Sequence, residues 1–248
     1  MPKLSVITIN YNNAHGLEKT VNSVLSQTYN DFEYIIIDGG STDESVEIIN
    51  KNNDKISYWV SENDKGIYDA QNKGIDNARG EYCLFLNSGD YLYENQSLQK
   101  VFSYNTNTDI ISCDMVFDYG NKIIAKKQPE SPSNFYLLKT TLWHPATLIK
   151  RSLFGTFGKY NLEYKTAADY DFFLKVLVKN KSSYQHIHNI LSVFDTTGVS
   201  SSTKSHAERK KERLSIQKKY FSSGLIFLNL FKNNSILLLS KIKRFLIR

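Results

Sequence analysis

The sequence predicts an α/β fold with a mainly parallel central sheet flanked by helices and a helical tail. Three observations carry this expectation. Strand-like and helix-like segments alternate through the first ninety residues. A polar loop follows each of the first four strands. Of the 248 residues, 41% are hydrophobic and 13% aromatic, enough to bury a substantial core.

The first strand is read at 4–9, "LSVITI", and the second at 33–37, "EYIII". The third spans 56–60, "ISYWV", and the fourth 81–86, "EYCLFL". All are rich in the β-branched and aromatic residues that suit a pleated surface. Between the first two, Leu17, Val21, Val24 and Leu25 recur at helical spacing from Ala14 to Gln27. A second helix is expected to open at Ser41, with Glu44 three residues later as a capping box. A third follows Gly66 and is expected to end at Gly80 as a C-terminal glycine.

In the second half, 108–116 reads as a strand and 117–124, "FDYGNKII", as a hairpin. Residues 144–154 read as a strand entering a short helix, and 169–179, "DYDFFLKVLVK", as a helix with acids in its first turn. Residues 128–134, "QPESPSN", form a loop. No linker divides the chain, so one domain over 1–203 is expected, followed by a basic amphipathic helical tail over 204–248.

Charge is unevenly placed. Residues 204–248 hold 12 Lys/Arg and 2 Asp/Glu, a net of +10, and the whole chain carries +6, leaving −4 for residues 1–203. A nucleic-acid protein would carry its basic stripe on the folded body, so nucleic acid is not an expected partner. The tail's apolar blocks around "KNN" are too short to span a bilayer. Together with Lys232, Lys241, Lys243, Arg244 and Arg248 they suggest a helix lying on an anionic membrane surface, or one packed on the body or a second subunit. The first residues lack the features of a signal peptide, so the expected location is cytoplasmic, peripheral on the inner face of the membrane. Cys83 and Cys113 lie in apolar runs without metal-ligand spacing, as small buried hydrophobes do. His186 and His188 alternate along a strand-like run and receive no role.

In parallel sheets, ligands bind beyond the carboxyl ends of the strands. That rule brings Asn10–Asn13, Asp38–Ser41, Glu62–Lys65 and Asn87–Asp90 to one rim, three of the four loops bearing carboxylates. Neither G-x-G-x-x-G nor G-x-x-x-x-G-K-[ST] is present, which excludes dinucleotide-binding and P-loop readings. A metal-held phosphate ligand fits an oxygen-rich rim.

The segments "PKLSVITINYNN", "SVLSQTYNDFEYIIIDGGSTDES", "DKGIYDAQNKGIDNARGEYCLFLNSGDYL" and "AADYDFFLKV" together resemble family 2 glycosyltransferases of the GT-A fold, over about residues 1–195. The resemblance is to bacterial enzymes that build capsular, O-antigen or exopolysaccharide units. It implies a Rossmann-like nucleotide-sugar-binding half over 1–95 and an acceptor-side half over 96–203. It further implies an inverting transfer from a UDP- or GDP-type sugar donor to a glycan or polyprenyl-linked acceptor.

The D-x-D-like motif is "NSGD". Asp90 matches the carboxylate that holds Mn²⁺ or Mg²⁺, with Asn87 and Ser88 beside it, Asn87 replacing the leading acid. Asp38 matches the first acid of D-D-x-S, with Gly39 replacing the second. Asn10, Asp64 and Asn72 fall in segments that surround the donor. Asp169 matches the catalytic base, with Asp171 its competitor, and His144 matches an acceptor-side position. A nucleotidyltransferase and an inactive sugar-nucleotide-binding or membrane-interaction protein are the alternatives; a homo-oligomer is compatible.

Overall fold

The computed structural model describes residues 1–196 and 203–229. Its first half is built from β1 (Leu4–Asn10), α1 (Ala14–Leu25), β2 (Phe32–Asp38), α2 (Ser45–Lys51), β3 (Tyr58–Ser61), α3 (Ile67–Asn77) and β4 (Tyr82–Phe85). The second half adds β5 (Tyr91–Leu92), α4 (Ser97–Phe102), β6 (Ile110–Asp118), β7 (Ile123–Lys126), α5 (Asn134–Lys139) and β8 (Thr147–Lys150). It continues through α6 (Ser152–Phe157), α7 (Ala168–Phe173), β9 (Tyr184–Asp195) and α8 (Thr203–Tyr220).

One nine-stranded sheet runs β3-β2-β1-β4-β8-β6-β9-β5, with β7 on β6. The first four strands pair in parallel, as their alternation with helices predicts. Beyond β4 the sheet becomes mixed: β8 is antiparallel to both β4 and β6, while β9 is parallel to β6. Two antiparallel steps restore the original direction, so the carboxyl end of β9 returns to the same rim as β4.

Strand alternation divides the core. Ile7, Ile9, Ile35 and Ile37 face the layer containing α3, α6, α7 and α8. Val6, Tyr34 and Ile36 face Leu17 and Val21 of α1 and Leu98 of α4. Cys83 and Cys113 are both fully buried thiols, as expected. The 117–124 hairpin forms, pairing Phe117 with Ile124.

Several local expectations are corrected. Ser41 does not cap α2, which starts at Ser45, because its hydroxyl and amide are both drawn to Asp38. Gly80 does not close α3. It lies against β1, where an added Cβ would stand 2.5 Å from the Ser5 backbone nitrogen. The helix of α7 widens into a π-helical stretch at Leu174–Lys179.

The start of the basic segment is packed on the body. Ile216, Phe221 and Ile226 join the core. The Glu212 carboxylate accepts hydrogen bonds from the backbone of Lys165 and Thr166. Residues 230–248, and with them the distal basic residues of the expected membrane contact, lie outside the described residues. Among the described residues, no helix is long and apolar enough to cross a membrane.

Candidate active site

Asn10, Asp38 and Ser61 end β1, β2 and β3 in register. The Asp38 carboxylate is fully buried. It accepts hydrogen bonds from Asn10 Nδ2 at 2.7 Å, Ser41 Oγ at 2.6 Å, the Ser41 amide at 2.8 Å and Ser61 Oγ at 2.6 Å. Burial alone would raise its pKa, but these hydrogen bonds outweigh it and hold the carboxyl below its usual range. Its oxygens are occupied internally, so Asp38 organises the rim rather than reaching outward to a base. Beside it, a Cβ on Gly39 would come within 2.5 Å of Asp64 Oδ2 and 3.3 Å of the exposed Tyr11 ring. Asp64 therefore fills the space into which a second acid would project. Tyr11 offers the nearby aromatic surface, a residue that pattern reasoning passed over.

The "NSGD" loop is held from α1. Asn13 caps that helix through its Oδ1 and donates from Nδ2 to the Ser88 carbonyl at 3.0 Å. Thr20 Oγ1 donates to the Asp90 carbonyl at 2.7 Å, and Gly89 takes φ +106°, a conformation suited to glycine. Asp90 is 3% exposed. Its Oδ1 accepts from the Asp195 amide at 3.1 Å, but its Oδ2 has no hydrogen-bond partner. Burial, with the Asp195 charge adding to it, pushes its pKa up to about 8.

A buried carboxylate oxygen with no donor, beside a second acid, is a disposition that a hard divalent cation would relieve. The residues present thus fit such an ion. Asp195 at the end of β9 is the second acid, absent from the motif as read in sequence. The rim rule could have found it only once β9 was known to run in the same direction as β4.

Across a cavity of about 640 Å³ lie Asn87 and Asp169. Tyr68 Oη donates to Asp169 Oδ1 at 2.7 Å. Burial, followed by the Asp169 charge, keeps the Tyr68 phenol protonated, so it serves as a donor. His144 stacks on Phe85 with ring centroids 4.6 Å apart and shares a 2.6 Å hydrogen bond with Tyr160 Oη. Burial brings the His144 pKa down to about 4, so the ring is neutral at pH 7.

Of the sequence candidates, Asn87, His144 and Asp169 line this cavity, whereas Asn10, Asp38, Asp64, Ser88 and Asp90 lie outside its lining, and two further candidates make structural contacts. Asp171 is buried and accepts from Tyr220 Oη at 3.1 Å, so it fastens α7 to α8. Asn72 clasps the backbone of Tyr160 at both amide atoms, at 2.9 and 3.0 Å, and is a structural brace. Its neighbour Gln71 faces the cavity instead. Gln71 Nε2 lies 3.4 Å from Asn87 Oδ1, and its buried Oε1 has no partner. One helical step, about 100°, separates the brace from the lining residue, too fine a distinction for a helical pattern to make.

A parallel first half that continues into a mixed sheet, with Asp38, Asp90 and Asp195 gathered along one rim, is the architecture of the GT-A glycosyltransferase fold. The chain belongs to glycosyl transferase family 2, whose family model matches residues 5–177. It is 32% identical over 213 residues to a PGL/p-HBAD biosynthesis glycosyltransferase of Mycobacterium bovis BCG, covering 82% of this chain and 80% of that protein. An uncharacterized glycosyltransferase of Mycobacterium tuberculosis is 34% identical over 205 residues, covering 81% and 78%.

Two solved structures share the fold. Staphylococcus aureus TarS 1–349 in complex with UDP superposes with a TM-score of 0.64 at 21% identity, over 78% of this chain and 60% of that one. The mannosyltransferase PcManGT from Pyrobaculum calidifontis, in complex with GDP-Man and Mn²⁺, gives 0.61 at 17% identity, over 78% and 56%.

Proposed function

We propose that this glycosyltransferase inverts the anomeric centre in a single displacement. It would move a sugar from a UDP- or GDP-type donor to a hydroxyl of a glycan or polyprenyl-linked saccharide in bacterial surface polysaccharide synthesis. The observation that carries this reading is the placement of Asn87, from the cation-binding loop, and Asp169 on the walls of one cavity. Asp169, oriented by Tyr68, takes the proton of the acceptor hydroxyl. The hydroxyl oxygen forms the new bond to the anomeric carbon while the bond to the diphosphate breaks, its electron pair leaving on the phosphate oxygen. Mn²⁺ or Mg²⁺ at Asp90, with Asp195 beside it, would supply the charge that neutralises the leaving diphosphate.

Asp64 and Tyr11 flank the nucleotide side, with Asn10 and Asp38 as the frame behind them; Ser88 and Gln71 lie nearer the diphosphate and sugar. On the acceptor side, Tyr68, Trp143 and Phe194 offer faces for sugar rings, while Lys165 and Arg213 suit an anionic carrier such as a polyprenyl diphosphate. Such an acceptor would place the enzyme at the inner face of the cell membrane, with the distal tail as the contact. In this division 1–203 is the transferase domain and 204–248 its basic tail.

The test uses Asp169→Asn. It should lower transfer by about 10²–10⁴-fold while leaving nucleotide affinity unchanged. Retained transfer would remove Asp169 from the chemistry.

A further inference from the structure

His186 and His188 lie toward the start of β9; His186 pairs with Ser112 and Asp195 with Asp118, six residues apart on β6, so His186 and Asp195 are roughly 20 Å apart at about 3.3 Å per residue. The two histidines belong to no part of the nucleotide-sugar cleft. Here the β6–β9 ladder is irregular: Cys113 faces Ile187, yet Asp114 faces Ile190. His188 and Asn189 are therefore extra residues in β9, and such a bulge re-aims the side chains around it. A ring nitrogen of His186, a ring nitrogen of His188 and a carboxylate oxygen of Asp114 all fall within 4.8 Å of one another.

The buried ring is set by a directional chain. Tyr184 Oη donates to the Pro129 carbonyl at 2.6 Å, which can only accept. Ser112 Oγ then donates to Tyr184 Oη at 2.5 Å, and His186 Nδ1 donates its proton to Ser112 Oγ at 2.9 Å. Nε2 is left with a lone pair. The His186 side chain is 1% exposed, and this atom makes no hydrogen bond although Asp114 Oδ1 is 3.0 Å away.

With the ring neutral, two lone-pair atoms stand side by side; a proton on Nε2 makes them an ion pair, and a metal ion bridges them in its place. Neighbouring ligands of a tetrahedral ion, each about 2.0–2.1 Å from it, are separated by roughly 3.3 Å. A histidine whose other nitrogen is hydrogen-bonded is the usual form of a metal ligand.

We propose that Asp114, His186 and His188 form a second metal site, for Zn²⁺, independent of the cation at Asp90. Imidazole and carboxylate ligands suit that ion. The exposed His188 gives it a route in from solvent. Glu130 Oε1, 3.4 Å from His188 Nε2, supplies a fourth ligand with small closure of its exposed loop.

The role is structural and bears on the acceptor wall. The Gln128 amide donates to Asp114 Oδ1 at 3.2 Å, and Pro129 ends the chain that orients His186. Gln128 Oε1 accepts from the backbone of Trp143, the residue before His144. An ion here would pin residues 128–130 and, through Gln128, steady the Trp143–His144 segment.

Metal-free full-length protein is titrated with Co²⁺ as a spectroscopic probe, then with Zn²⁺ in competition. Asp90→Ala should still show a stoichiometric tetrahedral Co²⁺ spectrum that Zn²⁺ displaces. His188→Ala, at an exposed position compatible with folding, should weaken Co²⁺ binding by about 100-fold or more and abolish the rise in Tm with Zn²⁺. Absence of a tetrahedral spectrum in Asp90→Ala would overturn the proposal, as would equal binding by folded His188→Ala. Neither result bears on the transfer reaction, which Asp169→Asn tests separately.

Discussion

At Gly39 and Asp64, one residue's missing side chain makes room for another's carboxylate. Gly39→Asp would set its Cβ against Asp64 Oδ2, so the extra acid should weaken nucleotide binding instead of strengthening it. Combining it with Asp64→Gly should recover part of the loss, and a double-mutant cycle read by calorimetry measures the coupling. A coupling near zero would show that the two positions do not compete for one space. His144 makes a pH prediction. Its pKa is 6.5 in the unfolded chain and about 4 in the fold, so the unfolded state binds more protons between those values. Stability should fall as pH drops through that window, by up to a few kcal/mol, and His144→Gln should flatten this slope in denaturant titrations. Asp38, Asp64 and Asp90 were legible as rim acids because residue type and strand position sufficed, whereas Asp169, on α7, was reached only through the family resemblance. Whether an acid faces the ligand or a neighbouring hydroxyl was not legible: Asp38 spends its oxygens on Asn10, Ser41 and Ser61, and only the packed rim reveals this.

The strands and helices of the first half were legible because each strand is a short apolar run and each helix has one apolar stripe. The capping box failed where a local rule met a longer-range one, since Ser41 is worth more to a buried carboxylate than to the end of α2. Likewise Gly80 is required by the approach of β1, a contact between residues 75 positions apart. Gly80→Ala should therefore destabilise by about 1–3 kcal/mol through overpacking, measurable by urea denaturation. The short β5 and the bulged β9 carry little periodic signal, and Asp195 was missed with them. In α8, Ile216 is fully buried against the body. Ile216→Ala should cost about 2–5 kcal/mol, whereas a freely projecting helix would lose almost nothing.

Over the whole molecule, donor and cation should bind together, because Asp90 alone is an inhospitable place for charge. Thermal stability measured with UDP, GDP, CDP and dTDP should rise for one nucleotide class, and only with Mn²⁺ or Mg²⁺ present. Asp90→Ala should lose that rise; a shift without metal would separate nucleotide binding from the ion. The fold class was legible from β/α alternation, but the mixed half of the sheet was not, since antiparallel partners far apart in sequence leave no local mark.

The return of β9 to the β4 rim also has a consequence in time. Asp90 and Asp195 are separated by more than a hundred residues, and the Asp195 amide holds the Asp90 carboxylate. Such distant pairing is paid for in loop-closure entropy before any contact rewards it, and it slows assembly. The first four strands can form as soon as they are synthesised, but the Asp90–Asp195 contact, the proposed cation site, cannot close until residue 195 has left the ribosome. A nascent chain should thus pass through a stage in which the rim of β1 to β4 is ordered while Asp90 still lacks its partner, and on the proposed function it has no capacity for transfer until that partner arrives.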